Sequence, residues 1–295
     1  MKELVVISRF IIVFMVAKYF FYQGIVWADE DMVRAYNILP HLMIVSYETI
    51  VKRKRIDILC TAMGIVYLIV CATRGPILLY VLFIAYSMFM QGKASKVVLV
   101  TGGISAVIFL STSFGINMIK AISDFLEARG LSARIFTMFL GGNIASDNGR
   151  NILQNEVMKY VRLHPLAGNG LLSDRRATSV FSWTKWTIDR IEGWYSHNII
   201  IELWCDFGYI LGTVLLVFLT VLFVYTYKKL TGDKRTIYLV ILFSSVLKLF
   251  MSSSYLEQRQ FWLVVGIGIT LYCQTRRQKK SMYNNADVYI KDLLT

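Results

Sequence analysis

Tyr195-Ser196-His197-Asn198-Ile199-Ile200-Ile201-Glu202-Leu203-Trp204 is the stretch on which the fold turns, because a long polar segment ends there and an apolar run begins. The run continues to residue 227, interrupted only by Glu202, Asp206 and a few Gly and Thr. A helix needs about 20 apolar residues to cross a bilayer, so this one crosses and overhangs, with His197 at its mouth. Ser196 has the side chain of an N-cap, and the first turn of a helix carries unsatisfied N–H groups and partial positive charge. Those surroundings favour a neutral imidazole and attract anions. Polar side chains that merely finish a helix at the interface account for the same residues.

Working outward, the rest of the chain repeats the signal. Hydrophobic residues make up 56% of the 295, with only 3 Pro, and the mean hydropathy is +0.54. Runs of spanning length recur at 4–22, 36–51, 56–73, 76–90, 97–113, 236–253 and 261–274. The expected fold is therefore all-α: a polytopic membrane bundle of about eight spans. A β-barrel would show short alternating segments instead. The first two runs are the least regular, since Arg9, Lys18, Pro40, His41 and Glu48 interrupt them. The N-terminal run lacks a small-residue cleavage site after a short apolar core, so it reads as an uncleaved first span.

The net charge of +13 sits largely in short connections, at 52–55, at Lys93 and Lys96, at 228–235 and at 276–280. That distribution is a topology signal and not a nucleic-acid surface. It places both termini in the cytoplasm and the large loop 114–198 outside, in a cytoplasmic (inner) membrane. The expected organisation is 1–113 N-terminal membrane helices, 114–198 extracytoplasmic loop, 199–274 C-terminal membrane helices and 275–295 cytoplasmic tail. Cys60, Cys71, Cys205 and Cys273 fall within expected spans without CxxC spacing; they read as small buried apolar residues, with neither a disulfide framework nor a metal site.

Within the loop, 117–140 puts Ile119, Ile122, Phe125 and Leu126 on one face and Lys120, Asp124, Glu127 and Arg129 on the other, the pattern of a helix lying on a membrane. Gly141-Gly142-Asn143 ends it, and a second helix is expected over 151–163, stopped before Pro165. A basic and aromatic tract follows, with Arg175, Arg176, Trp183, Lys185, Trp186, Arg190 and Trp194. Gly168-Asn169-Gly170 is only a GxG and follows no strand, so it is no dinucleotide fingerprint.

Arg74 stands between two apolar runs with only Thr73 and Gly75 in the turn. An ionisable group so placed is a functional candidate, with snorkelling to lipid headgroups the competing account. Arginine binds phosphate oxygens bidentately and keeps its charge, so Arg74, loop arginines and His197 suit an anionic, lipid-linked substrate without a metal. Trp183, Trp186, Trp194 and Tyr195 can stack on sugar faces or form an interfacial belt. Asp29-Glu30-Asp31 has a D-x-D spacing that can hold a divalent cation, against a plain acidic helix start. No Ser-His-Asp order, Walker motif or HExxH occurs. Glu202, Asp206 and Lys248, costly if they face lipid, must face one another or a cavity, and a polar path through a transporter is open on that ground.

Several of these pieces recur in order. Thr73-Arg74-Gly75 opens a span and Gly149-Arg150 heads the second loop helix. His164-Pro165-Leu166-Ala167-Gly168-Asn169-Gly170 follows, then His197-Asn198, then Gly208-Tyr209-Ile210-Leu211-Gly212. In that order, and in the alternation of loop and span, the chain from about residue 36 to 273 resembles the O-antigen ligase and oligosaccharide repeat-unit polymerase superfamily (Wzy and WaaL type). The family commonly has Ser-Arg-Gly where this chain has Thr73-Arg74-Gly75, and more spans than are counted here.

The resemblance implies an inverting membrane glycosyltransferase that uses no metal or other cofactor. A sugar hydroxyl would displace polyprenyl pyrophosphate from the anomeric carbon of a lipid-linked glycan, for capsule, exopolysaccharide or O-antigen. It implies that Arg74, Arg150 and His197 are essential, with Arg74 and Arg150 on the pyrophosphate and His197 as base or orienting partner. Arg175 and Arg176, which the family pattern does not fix, are expected in substrate binding with Asn198, Gly170 and Trp194. Expected partners are polyprenyl-pyrophosphate-linked oligosaccharides, the lipid bilayer, and a flippase and chain-length regulator of the same pathway. Polymerase, ligase and transporter readings all remain open at the level of sequence.

Overall fold

A computed structural model describes residues 1–21, 28–71, 74–130, 133–142, 150–181 and 195–294, and every regular element among them is helical. Side chains are described for most of these, but not for residues 28–31, 134 or 279–294 among others. The chain forms two compact units, Met1–Asn148 and Gly149–Thr295.

The first unit contains α1 (Lys2–Phe21), α2 (Ala28–Lys52), α3 (Arg55–Val70), α4 (Arg74–Gln91), α5 (Lys93–Ser111), α6 (Ser113–Ala128) and α7 (Arg134–Leu140). Helix α2 is its centre, packed against α1, α3 and α4. Ile38, Leu39, Leu42, Met43 and Val45 of α2 have no exposed surface. Because α2 faces protein on most sides, three of the polar residues that break up the first two runs, Arg9, His41 and Glu48, find partners inside the unit. Arg9 of α1 donates to Asp57 of α3 at 2.6–2.7 Å, Ser8 meets His41 at 3.2 Å, and Glu48 pairs with Lys52 one turn on at 2.6 Å. Without hydrophobic drive in lipid, helices associate by close packing over small residues; a Cβ at Gly64 would lie 2.7 Å from Leu42 Cδ1.

The sequence predicts one helix over 117–140, and here the structure differs. α6 ends at Arg129-Gly130, where Gly130 takes φ 69°, and α7 starts afresh. The faces also divide differently: Ile119 and Leu126 are buried, while Phe125 is 57% exposed with Arg129 over its ring. Leu126 packs inward on Val70 and Ala133, and with Ile119 it makes up the buried half of the apolar set.

The second unit contains α8 (Arg150–Val161), α9 (Ser173–Phe181), α10 (Ile199–Lys229), α11 (Gly232–Ile241) and α12 (Arg259–Leu294). After α11 the chain passes through a π-helical turn, Leu242–Val246, and a 3₁₀ turn, Leu247–Phe250. The core joins Ile199, Leu203 and Leu222 of α10 to Tyr238, Leu249, Tyr255 and Phe261. At the crossing of α10 and α12, a Cβ on Gly268 would lie 2.8 Å from Leu222, so only glycine permits that approach.

Among the described residues, α4, the part of α5 from Ala94, and α10 are long and apolar enough to cross a membrane. Their outer faces are apolar, as at Val97, Val98, Ile104 and Ile108 of α5 and Ile210, Val214, Val217 and Val221 of α10. Exposed apolar surface of that extent marks a lipid or partner contact. The run 199–227, expected as one uninterrupted helix, is broken: Gly208 has φ 78° and ψ 171°. Trp204 Nε1 consequently reaches Thr213 Oγ1 at 3.1 Å across the bend. The long apolar helix proper is 209–229, and 199–207 is a short helix of its own.

Of the four cysteines, Cys60, Cys71 and Cys205 are buried and Cys273 is exposed, so the expectation that all four are buried fails at Cys273.

Candidate functional site

The break at Gly208 leaves carbonyls and an N–H without helical partners, and the segment 164–170 supplies them. Asn169 N donates to Cys205 O at 2.8 Å, Gly170 N to Asp206 O at 3.1 Å, and Tyr209 N to Pro165 O at 2.7 Å. Gly168 and Gly208 sit back to back at φ 72° and 78°. A Cβ on Gly168 would lie 2.5 Å from Gly208 N, and one on Gly208 would be 2.6 Å from Leu166 C. Both must be glycine, for space as well as for φ. The two motifs taken from the sequence as separate signals are thus one backbone saddle. Gly170, expected in substrate binding, has its N–H committed to that saddle.

Against the saddle lie three buried carboxylates, each held by neutral donors. Asp206 accepts from Ser173 N at 3.2 Å, Ser173 Oγ at 3.0 Å and the Tyr255 hydroxyl at 2.7 Å. Glu202 accepts from Ser254 Oγ and from Tyr255 N at 3.2 Å. Asp174 accepts from Ser196 N and Arg175 N, both at 2.9 Å, and burial pushes its carboxyl above the usual range despite those bonds. Lys248, expected to answer Glu202 and Asp206, donates to Gln258 Oε1 at 3.3 Å. Ser173, Asp174, Ser254 and Tyr255 carry no motif; only the polar dyad Glu202 and Asp206 inside an apolar run points to them.

His197 adopts φ 55°, a left-handed backbone that costs a non-glycine residue about 1 kcal/mol. Its ring lies 4.2 Å, centroid to centroid, from Tyr195. Nδ1 is buried without a hydrogen-bond partner among the described residues. The imidazole is pushed down to about 4, first by burial and then by the Arg150 guanidinium, so it is neutral at pH 7. The expected neutrality is therefore traced to burial and a neighbouring cation. The N-cap also differs from expectation: Asn198 Oδ1 accepts from Ile200 N at 2.9 Å, while Ser196 Oγ donates to Asn198 O at 3.1 Å. The extended backbone of Asn198 suits a cap, whereas Ser196 lies two residues too early.

Arg150 is the first residue of α8 and acts electrostatically on both His197 and Tyr195. The Tyr195 hydroxyl bonds the Ser252 side chain and the Ser253 backbone, and burial raises it. Arg175 pairs with Glu257 at 2.5 Å; Arg176, one residue on, is exposed. The second unit thus brings His197 and Asn198 together with Arg150, while Gly170 belongs to the saddle at Gly208 and Arg175 to α9. Arg74 begins α4 in the first unit, beside Gly75, where a Cβ would meet the Tyr36 hydroxyl at 2.5 Å. Thr73, Trp183, Lys185, Trp186, Arg190 and Trp194 lie outside the described residues, as do the side chains of Asp29, Glu30 and Asp31.

A neutral imidazole whose Nδ1 has no partner among the described residues, under the influence of a guanidinium, can accept a proton or orient a hydroxyl while the cation holds an anion. The chain matches no family model, and no match is found among curated proteins or among solved structures.

Proposed function

We propose that this protein is a membrane glycosyltransferase that joins polyprenyl-pyrophosphate-linked oligosaccharide repeat units on the outer face of the cytoplasmic membrane. The observation that carries the reading is His197: neutral, backbone-strained, with a buried open nitrogen and the Arg150 guanidinium close enough to perturb it. Strain of this kind persists where surrounding structure over-determines it, and it concentrates at functional sites. The order of sequence motifs, Thr73-Arg74-Gly75 through Gly208, supplies the substrate class.

In the proposed step, the oxygen of an acceptor sugar hydroxyl attacks the anomeric carbon of the donor glycan from the face opposite the pyrophosphate. The bond between that carbon and the phosphate oxygen breaks, and polyprenyl pyrophosphate leaves with the electron pair. The hydroxyl proton passes to His197 and then to solvent. Arg150 offsets the charge that develops on the leaving group, the kind of fixed electrostatic aid worth roughly 3 kcal/mol. With an anion on Arg150, the guanidinium no longer opposes protonation of His197, so donor binding itself makes the imidazole a better base. Arg74 is assigned to the pyrophosphate on the sequence resemblance, and about eight spans with both termini in the cytoplasm on the runs of apolar residues and the basic connections.

The reading is tested with purified protein in lipid bilayers and a synthetic polyprenyl-pyrophosphate repeat unit, with products weighed by mass spectrometry. Oligosaccharides lengthened by whole repeats, and their loss in His197→Ala and Arg74→Ala, are expected. Chain growth at the normal rate in either stable variant overturns the assignment; vectorial movement of the lipid without growth would mean a transporter.

A further inference from the structure

The residues flanking His197 are fastened from three sides. Ser196 is wholly buried, as is Asp174, and the Asp174 carboxylate accepts the Ser196 N–H at 2.9 Å from 22 residues away. The opposite group of the same residue, Ser196 O, accepts from Gln154 Nε2 of α8 at 3.3 Å. On the far side, Ser196 Oγ donates to Asn198 O and Asn198 Oδ1 caps α10 at Ile200 N. His197 is the one residue between these anchors, and it alone takes the left-handed conformation, φ 55°.

We infer that Asp174 is a positioning residue for His197, acting with Gln154 through Ser196 to hold the imidazole against Tyr195 and Arg150. A left-handed residue relaxes unless its neighbours are pinned. Asp174 does this with a carboxyl oxygen that accepts from a buried N–H, a donor left unsatisfied if that oxygen is lost. Its second oxygen is taken by Arg175 N, which fixes the carboxylate in turn at the start of α9. Loss of either anchor lets the turn open, returns the ring to water and separates it from Arg150. The role rests on the reading of His197 as the group that meets the acceptor hydroxyl, but it is tested without that reading.

The chain has only 3 His, so ¹⁵N-histidine-labelled protein in detergent micelles gives three ring systems, His197 being assigned by its loss in His197→Gln. Among the described residues, the groups facing the ring are Arg150 and Tyr195, and neither is changed. In Asp174→Ala the His197 midpoint should rise by about one pH unit or more towards 6.5, since burial and the guanidinium are what lower it. Asp174→Asn keeps an acceptor oxygen for Ser196 N–H and should shift it less. Gln154→Ala, a change at a half-buried residue, should raise it too.

Helical circular dichroism and gel filtration identify a variant that has not folded. If Asp174→Ala fails them, Gln154→Ala decides alone. A His197 midpoint unmoved in the deciding variant overturns the inference. Chain growth measured on the same preparations separates the two ideas. A shifted midpoint with no growth even in the unaltered protein leaves the anchor standing and removes the glycosyltransferase reading; growth with an unmoved midpoint does the reverse.

Discussion

The two units treat buried charge in opposite ways. In the first, charge answers charge: Asp57 is buried against the Arg9 guanidinium, and Glu48 against Lys52. In the second, Asp174, Glu202 and Asp206 are satisfied by hydroxyls and backbone N–H groups of Ser173, Ser196, Ser254 and Tyr255. Pairing carboxylate with cation neutralises both and fixes helices, which is all a scaffold requires. Satisfying carboxylates with neutral donors leaves cations available, and among the described residues no carboxylate pairs with Arg150. Ion pairs in this unit lie elsewhere, at Arg175 with Glu257 and Lys159 with Glu156.

Substitutions can break that contrast or sharpen it. The largest effect is expected for His197→Ala and Arg150→Ala in the second unit. Each should lower chain growth by about 100-fold or more while shifting the melting temperature of the detergent-solubilised protein little, because neither holds a buried carboxylate. In the first unit the reverse is expected. Arg9→Ala strands Asp57 without its cation and should cost about 3 kcal/mol of stability, read as a lower denaturation midpoint, with the remaining folded protein still active.

A smaller cost, about 1 kcal/mol, is expected for Tyr255→Phe, which removes one of three donors to Asp206. If it instead cost as much as Arg9→Ala, neutral donors would not be interchangeable in the way the contrast supposes. The last effect is one of pH. His197 titrates near 4 in the folded chain and near 6.5 when unfolded, so between those values the unfolded chain binds more protons. Stability contributed by the neutral ring is therefore complete above 6.5 and declines as the pH falls towards 4. Thermal melts at pH 7 and pH 5 should show a smaller drop in His197→Gln than in the unaltered protein.

Periodicity and length made the helices legible. The helix expected over 151–163 is found as α8, Arg150–Val161, and its stop before Pro165 follows from a local signal. The central place of α2 was not legible as such, because Arg9, His41 and Glu48 look like faults in a span until their partners on α1, α2 and α3 are known. The break in α10 had a signal, Gly208 two residues after Asp206 in an apolar run, but Gly is common in membrane helices and the signal alone is weak. What completes it is Gly168, 40 positions earlier, and no local pattern links the two. The anchors of His197 were beyond reach for the same reason. Asp174 and Gln154 are ordinary loop residues until the chain brings them to Ser196.

The central claim, that Arg150 and His197 share a seat for a phosphorylated carrier, is tested most directly by adding inorganic pyrophosphate to ¹⁵N-histidine-labelled protein and following His197. An anion on Arg150 should lift the His197 midpoint from about 4, saturably, and the lift should vanish in Arg150→Ala. A midpoint indifferent to pyrophosphate, or a lift that survives the loss of Arg150, would contradict it.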